Sequence, residues 1–266
     1  MRDRYELGAK LGAGAHGAIY HGRDTRSGRA VAVKLMGAQR PEASGHAASA
    51  FTLPAMRPAW MALSHPNIAE IYAAGGAADA AYMVMEMAPG IDLRCHTQPG
   101  RRLPLATALS IIARVADALD HAHQLGMVHG DINPANIMFD VCGDGVKLTD
   151  FPMHAAPGLT DTGVQGTFAY MSPEQVCGRA IGAASDQFSL GATLYRLACG
   201  RLPFVAGSLP LLASMIVNEP HVDIRVHDAA LPATLAAVID RMLEKIPDAR
   251  YARIRDAASA IGQIGA

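Results

Sequence analysis

Two short segments hold residues whose types and spacing suit chemistry on phosphate. The first is GAGAHG, residues 12–17, which fits G-x-G-x-x-G and is followed by a lysine, Lys34, in VAVK. Glycines let a backbone turn tightly and approach phosphate oxygens, and the pattern occurs in two settings. In a dinucleotide-binding unit the third glycine opens a helix; in the other setting the glycines lie in a β-hairpin that covers the phosphates. Here AIYHGRD and RAVAVKLM flank the turn-like TRSG and read as strands, and no amphipathic helix follows Gly17. The hairpin is therefore expected. A lysine in a strand is often an edge residue whose ammonium reaches water. With Val31, Ala32 and Val33 before it, in a chain of only four lysines, Lys34 reads better as a phosphate ligand. The second segment is MVHGDINPANIMFD, residues 127–140, with Asp131 five positions ahead of Asn136, an arrangement suited to a phosphotransfer loop.

The elements that must hold these residues fall into two groups. Up to about residue 88 the pattern is short and β-prone, broken by Gly clusters, and AAYMVMEMAPG reads as a last strand running into a linker. Beyond it the period becomes helical: LPLATALSIIARVADALDHAHQLG spaces apolar residues three and four apart and stops at Gly126. Further helices are expected in SDQFSLGATLYRLACG, LPLLASMIVNE, LPATLAAVIDRMLE and RIRDAASAIGQIG. The expected plan is an α+β, bilobal fold, a small β-rich lobe over residues 1–88 and a larger helical lobe over 89–266.

Composition narrows the function classes. A length of 266 residues can bury a large core, and a net charge of -1 offers neither a basic stripe for nucleic acid nor a polybasic membrane anchor. No apolar leader and no run of about 18 uncharged apolar residues is present. Cys95, Cys142, Cys177 and Cys199 are scattered, without a C-x-x-C pair, and read as reduced thiols of a cytoplasmic protein. The eleven histidines show no zinc-binding spacing.

Taken together, these motifs resemble a bacterial-type serine/threonine protein kinase domain over nearly the whole chain. The resemblance implies that Asp131 receives the proton of the substrate hydroxyl, that Asn136 and the Asp150 of LTDF bind metal, and that Lys34 and the loop glycines Gly12, Gly14 and Gly17 hold phosphates. Mg²⁺, with Mn²⁺ as a substitute, suits such oxygen donors. ATP is the implied cofactor: Ile19 would contact the adenine, Leu11 and Ala32 would belong to the same nucleotide site, Met85 would be the gatekeeper, and Glu86 and Ala88 would supply backbone contacts. Asp92 would reach the ribose and Met138 would form the floor. GTFAYMSPEQ puts Thr167 where such kinases steady the catalytic aspartate, Glu174 is expected to pair with Arg250 of PDARY, and Asp186 to hold the catalytic loop's backbone.

Four positions depart from the pattern. Counting back from HPNI, the glutamate that should meet Lys34 falls on Met56, between Pro54 and Pro58; proline inside a helix costs about 3 kcal/mol, so this helix is expected to be short or displaced. Lys34 is then expected to pair with Asp150 or phosphate rather than Glu42, and Trp60 is read as core. Gly130 replaces an arginine that meets a phosphorylated activation segment, which weakens switching through Thr160 or Thr162. Asn133 replaces a phosphate-contacting lysine, a loss worth on the order of 10²-fold in rate. Pro152 replaces the glycine after Asp150 and Phe151. The leading expectation is an active ATP-dependent serine/threonine kinase acting on a protein substrate; should the chain alone prove inactive, an activating protein partner that repairs the helix around Met56 is expected. The alternatives are a nucleotide-binding pseudokinase and, because glycine precedes the catalytic aspartate in such enzymes, a small-molecule phosphotransferase.

Overall fold

The computed structural model describes residues 4–14, 17–37, 62–77, 80–151 and 165–264. They fall into two compact units, one ending at Ala88 and one beginning at Pro89.

The first unit is a five-stranded antiparallel sheet: β1 (Tyr5–Gly14), β2 (Gly17–Asp24), β3 (Ala30–Gly37), β4 (Ile71–Ala77) and β5 (Ala80–Glu86), in the order β1-β2-β3-β5-β4. Strand periodicity sends alternate side chains to opposite faces. One face buries Val31, Val33 and Val84 with Tyr5, and Leu35, Tyr72 and Tyr82 pack against that cluster. The turn between β2 and β3 is fixed by Asp24, whose carboxylate takes the Arg26 N–H, the Ser27 hydroxyl and the Arg4 guanidinium.

The second unit opens with β6 (Ile91–Asp92), which pairs with β7 (Ile137–Asp140); β7 in turn pairs with β8 (Gly145–Leu148). Its helices are α1 (Leu105–Gln124), α2 (Gln165–Phe168), α3 (Pro173–Val176), α4 (Ala183–Cys199), α5 (Leu209–Asn218), α6 (Ile224–His227), α7 (Ala233–Met242) and α8 (Ile254–Gly262). Helix α1 ends as expected, with Gly126 in the left-handed region at φ 74°. It buries Ile111, Ile112, Val115 and Leu119, while α4 buries Phe188, Leu190, Leu194 and Tyr195. Each such side chain contributes about 1.5–3 kcal/mol, so these two helices form a stiff frame for the loop between α1 and β7. Two charged clamps close it. Arg253 reaches Asp120 of α1 at 2.9 Å, and the buried Arg250 pairs bidentately with Glu174 at 2.8 and 3.0 Å. The expected Glu174–Arg250 ion pair is thus present. Among the described residues no helix is long and apolar enough to cross a membrane.

Candidate functional site

In the first unit the glycine segment closes an antiparallel hairpin. Gly12 faces Ile19, and Gly14 faces Gly17 across β1 and β2. The strand β2 begins at Gly17, so the helix of the dinucleotide setting is absent there. Gly17 has φ 122°, and a Cβ on it would run into the Leu35 carbonyl, so this position requires glycine. Gly12 is different: a Cβ there would meet nothing within 4 Å. Its packing does not demand glycine, which leaves the backbone open to a ligand, with Leu11 54% exposed beside it.

Register brings the other candidates of this unit onto one face. Lys34 lies opposite Ile19 on β2 and Met83 on β5, and Ala32 lies opposite Met85. Directly opposed residues point the same way. Ile19, Ala32, Lys34, Met83 and Met85 therefore share the face turned away from the Tyr5–Val33 core, with Lys34 half-buried among apolar neighbours. At the end of β5, the Glu86 N–H donates to the Glu70 carbonyl at 2.8 Å, and its carboxylate takes the Glu70 N–H at 3.2 Å. Ala88 closes the unit.

In the second unit the loop that carries Asp131 is held from several sides. Asp186, fully buried in α4, accepts the main-chain N–H of His129 at 2.8 Å and of Gly130 at 2.7 Å, and His123 at 2.7 Å. Gln175 donates from Nε2 to the Gly130 carbonyl at 2.7 Å, while its Oε1 accepts the Ser172 N–H and hydroxyl. His129 accepts the Asp131 N–H on Nδ1, so its Nε2 must carry the proton donated to the Thr149 carbonyl at 2.9 Å; its ring meets Phe151 edge-on. Gly130 sits at φ 71°, and a Cβ there would lie 3.0 Å from the Ile181 side chain. A glycine in place of arginine is thus what this loop conformation accommodates best.

Asp131 itself is gripped by two asparagines. Asn136 Nδ2 donates to its main-chain carbonyl at 2.7 Å and to Oδ2 at 2.9 Å. Asn133 Nδ2 donates to the same carbonyl at 3.0 Å and to Oδ1 at 2.9 Å. Because Asp131 presents only acceptors to them, each amide must turn its nitrogen inward, and the carbonyl end of Asn136 is its remaining face. Asp150 follows β8 with φ 63°, a left-handed conformation that costs a non-glycine residue of order 1–3 kcal/mol. Such strain gathers at ligand sites. An amide oxygen and a carboxylate are hard donors, and two of them with substrate phosphates and water are what Mg²⁺ takes; the residues fit the ion. Among the described residues no cluster of three His, Cys, Asp or Glu forms an all-protein metal cage.

Asp92 and Met138 are direct cross-strand partners on β6 and β7, so two expected nucleotide contacts meet. The Asp92 carboxylate, however, is already paired bidentately with Arg94 at 2.8 Å, and a ribose would have to share it. Thr167 is half-buried in the single turn α2 of the same unit. Met56 with its flanking prolines, Trp60, Glu42, Pro152, Thr160 and Thr162 lie outside the described residues.

A family model, the protein kinase domain, matches residues 5–260. The chain belongs to the protein kinase family. Relatives of this kinase domain include PknB of Mycolicibacterium smegmatis, a serine/threonine-protein kinase 37% identical, matching 94% of this chain and 41% of its own length. A probable serine/threonine-protein kinase of Streptomyces coelicolor is also 37% identical, over 94% of this chain and 38% of its own. The chain thus spans about two fifths of the length of these curated relatives. The PknI kinase domain of Mycobacterium tuberculosis superposes with a TM-score of 0.77 at 26% identity, covering 98% of this chain and 96% of that one. A structure solved with AMP-PNP, at 22% identity and a TM-score of 0.79, shares the fold.

Sequence reasoning missed three residues of this kinase site. It took Asn133 only as a lost charge, although Asn before Pro134 is an N-cap signature, and the side chain does cap the 3-10 turn Pro134–Asn136. It assigned nothing to Gln175 or His123, whose partners lie 45 and 63 residues away.

Proposed function

We propose that this domain is an active, cytoplasmic, ATP-dependent serine/threonine kinase that transfers a phosphoryl group to a protein substrate. The observation that carries the proposal is the grip on Asp131, which presents a carboxylate in one orientation, as orienting an incoming hydroxyl requires. In the reaction the serine or threonine oxygen forms a bond to the γ-phosphorus, the bond to the departing ADP oxygen breaks, and Asp131 takes the hydroxyl proton. Lys34 and the backbone around Gly12, Gly14 and Gly17 would hold the phosphates. Asn136 and Asp150 would hold Mg²⁺, which supplies charge neutralisation to the phosphates when bound. Ile19, Ala32, Leu11 and Met138 would contact the base, Glu86 and Ala88 would offer it main-chain groups, and Asp92 the ribose. Thr167 would steady Asp131. The free state of all four cysteines suits a reducing compartment.

The test is ADP formation coupled to phosphorylation of a basic protein acceptor, in Mg²⁺ and in chelator, with Asp150→Asn as the comparison. Turnover that needs both Mg²⁺ and Asp150 supports the proposal. Nucleotide binding without turnover in any condition would instead identify a pseudokinase, and phosphorylation of small hydroxyl compounds alone would identify a small-molecule phosphotransferase.

A further inference from the structure

The resemblance casts Asn133 as a deficit, a neutral side chain where a lysine should meet the transferred phosphate. Its contacts describe a different task. Asn133 is 4% exposed and is engaged at both ends. Its Oδ1 accepts the Ala135 N–H at 2.9 Å, capping the turn that leads to Asn136. An N–H can only donate, so that contact fixes which end of the amide is oxygen and turns Nδ2 toward Asp131. There it bonds the main-chain carbonyl and the carboxylate Oδ1. Asn136 repeats the arrangement on the carbonyl and Oδ2. Asp131 is therefore held twice by its backbone and once at each carboxylate oxygen, by two residues joined through one short turn. A lysine has no acceptor and could not cap Ala135.

We infer that Asn133 is a positioning residue, one that fixes the Asp131 carboxylate in place of contacting phosphate. The inference rests on the reading of Asp131 as the residue that orients the acceptor hydroxyl. A fixed base is what the reaction needs, because phosphoryl transfer passes through a loose transition state in which the protein's work is mostly positioning. Of the neighbouring groups, His129 of this loop bonds main-chain atoms, and Asp186 of α4 bonds main-chain N–H groups and His123. The position has thus exchanged a charge for a geometric constraint, and putting the lysine back removes the constraint.

The experiment compares native protein with Asn133→Ala and Asn133→Lys in two readouts. Steady-state kinetics is the first. Asn133→Ala should lower kcat by about ten- to a hundredfold, the worth of one hydrogen bond to a charged group. The KM for ATP should hold. Asn133→Lys should stay below native. The second readout needs no turnover: in crystal structures the Asp131 carboxylate should keep a single orientation in the native protein and lose it in Asn133→Ala. An unchanged carboxylate orientation with unchanged kcat in Asn133→Ala would overturn the inference, and so would a kcat above native in Asn133→Lys. Absence of turnover in the native chain would count against kinase activity, and the carboxylate orientation would then decide the clamp.

Discussion

Asp186 accepts the main-chain N–H of Gly130 at 2.7 Å across 56 residues of sequence, with the N–H of His129 on its other oxygen. A buried carboxylate in the rigid helix α4 thereby sets the path of the loop one residue before Asp131. Asp186→Ala removes that acceptor and strands the buried N–H of His129, the half-buried N–H of Gly130 and His123. The expected loss is about 3–5 kcal/mol of stability, with kcat falling further than the KM for ATP rises. Urea unfolding and steady-state kinetics check both; a variant that unfolds like native protein would contradict the role.

Restoring the arginine that the family carries before its catalytic aspartate should do harm in this chain. Gly130→Arg places a side chain at φ 71° with its Cβ 3.0 Å from Ile181. The left-handed backbone costs about 1–2 kcal/mol, and the contact adds to it. Thermal unfolding should show a Tm lower by several degrees, with partial recovery in the double variant carrying Ile181→Ala. A Tm equal to native would show that the loop relaxes freely.

Much of this was legible in the sequence where the signal is local. Strand alternation around VAVK, the stop at Gly126 and the spacing of Asp131 and Asn136 depend on residues within a few positions of one another, and Asp150 follows in the short motif LTDF. What was hidden depends on tertiary distance or on backbone angle. The face shared by Ile19, Lys34 and Met83 needs the β3–β5 register. The link from Gln175 to the Gly130 carbonyl joins residues that no periodicity connects. Gly130 and Asn133 were visible as departures from a pattern, and only the left-handed φ and the amide contacts give each a physical reason.

Acid stability should depend on Glu174. Burial raises its carboxyl pKa, but hydrogen bonds from Arg250 and Ser185 and the Arg250 charge outweigh that and hold it below the usual value. A group depressed in the folded state stabilises fully above its unfolded pKa and loses that contribution as pH falls through the folded value. Glu174→Gln should therefore flatten the decline of stability below about pH 4.5, and Arg250→Ala should cost about 3–5 kcal/mol by stranding the carboxylate. Denaturant midpoints at pH 3 to 7 read both; an equally steep acid decline in Glu174→Gln would refute the assignment.

At alkaline pH, Lys245 should give a slope of the same sign. Its ammonium donates to the Ile216 carbonyl at 2.7 Å and lies 4.0 Å from the Phe204 ring centroid. Desolvation, with Arg250 nearby, pushes its pKa down to about 8. Between that value and the unfolded one the unfolded chain binds more protons, so stability rises with pH there. Lys245→Met should remove the rise between about pH 8 and 9.5, before the tyrosines ionise. Guanidinium midpoints across that range check it, and a slope unchanged in the variant would contradict it.

The central claim is that Asp131 serves phosphoryl transfer in spite of Gly130 and Asn133. The most direct measurement is phosphate incorporation by intact mass, with ATP and Mg²⁺, comparing native protein with Asp131→Ala in the presence and absence of a protein acceptor. The account predicts added phosphate with the native chain and none with Asp131→Ala, while both still bind ATP. Equal incorporation in the two, or none in either with ATP bound, would contradict it.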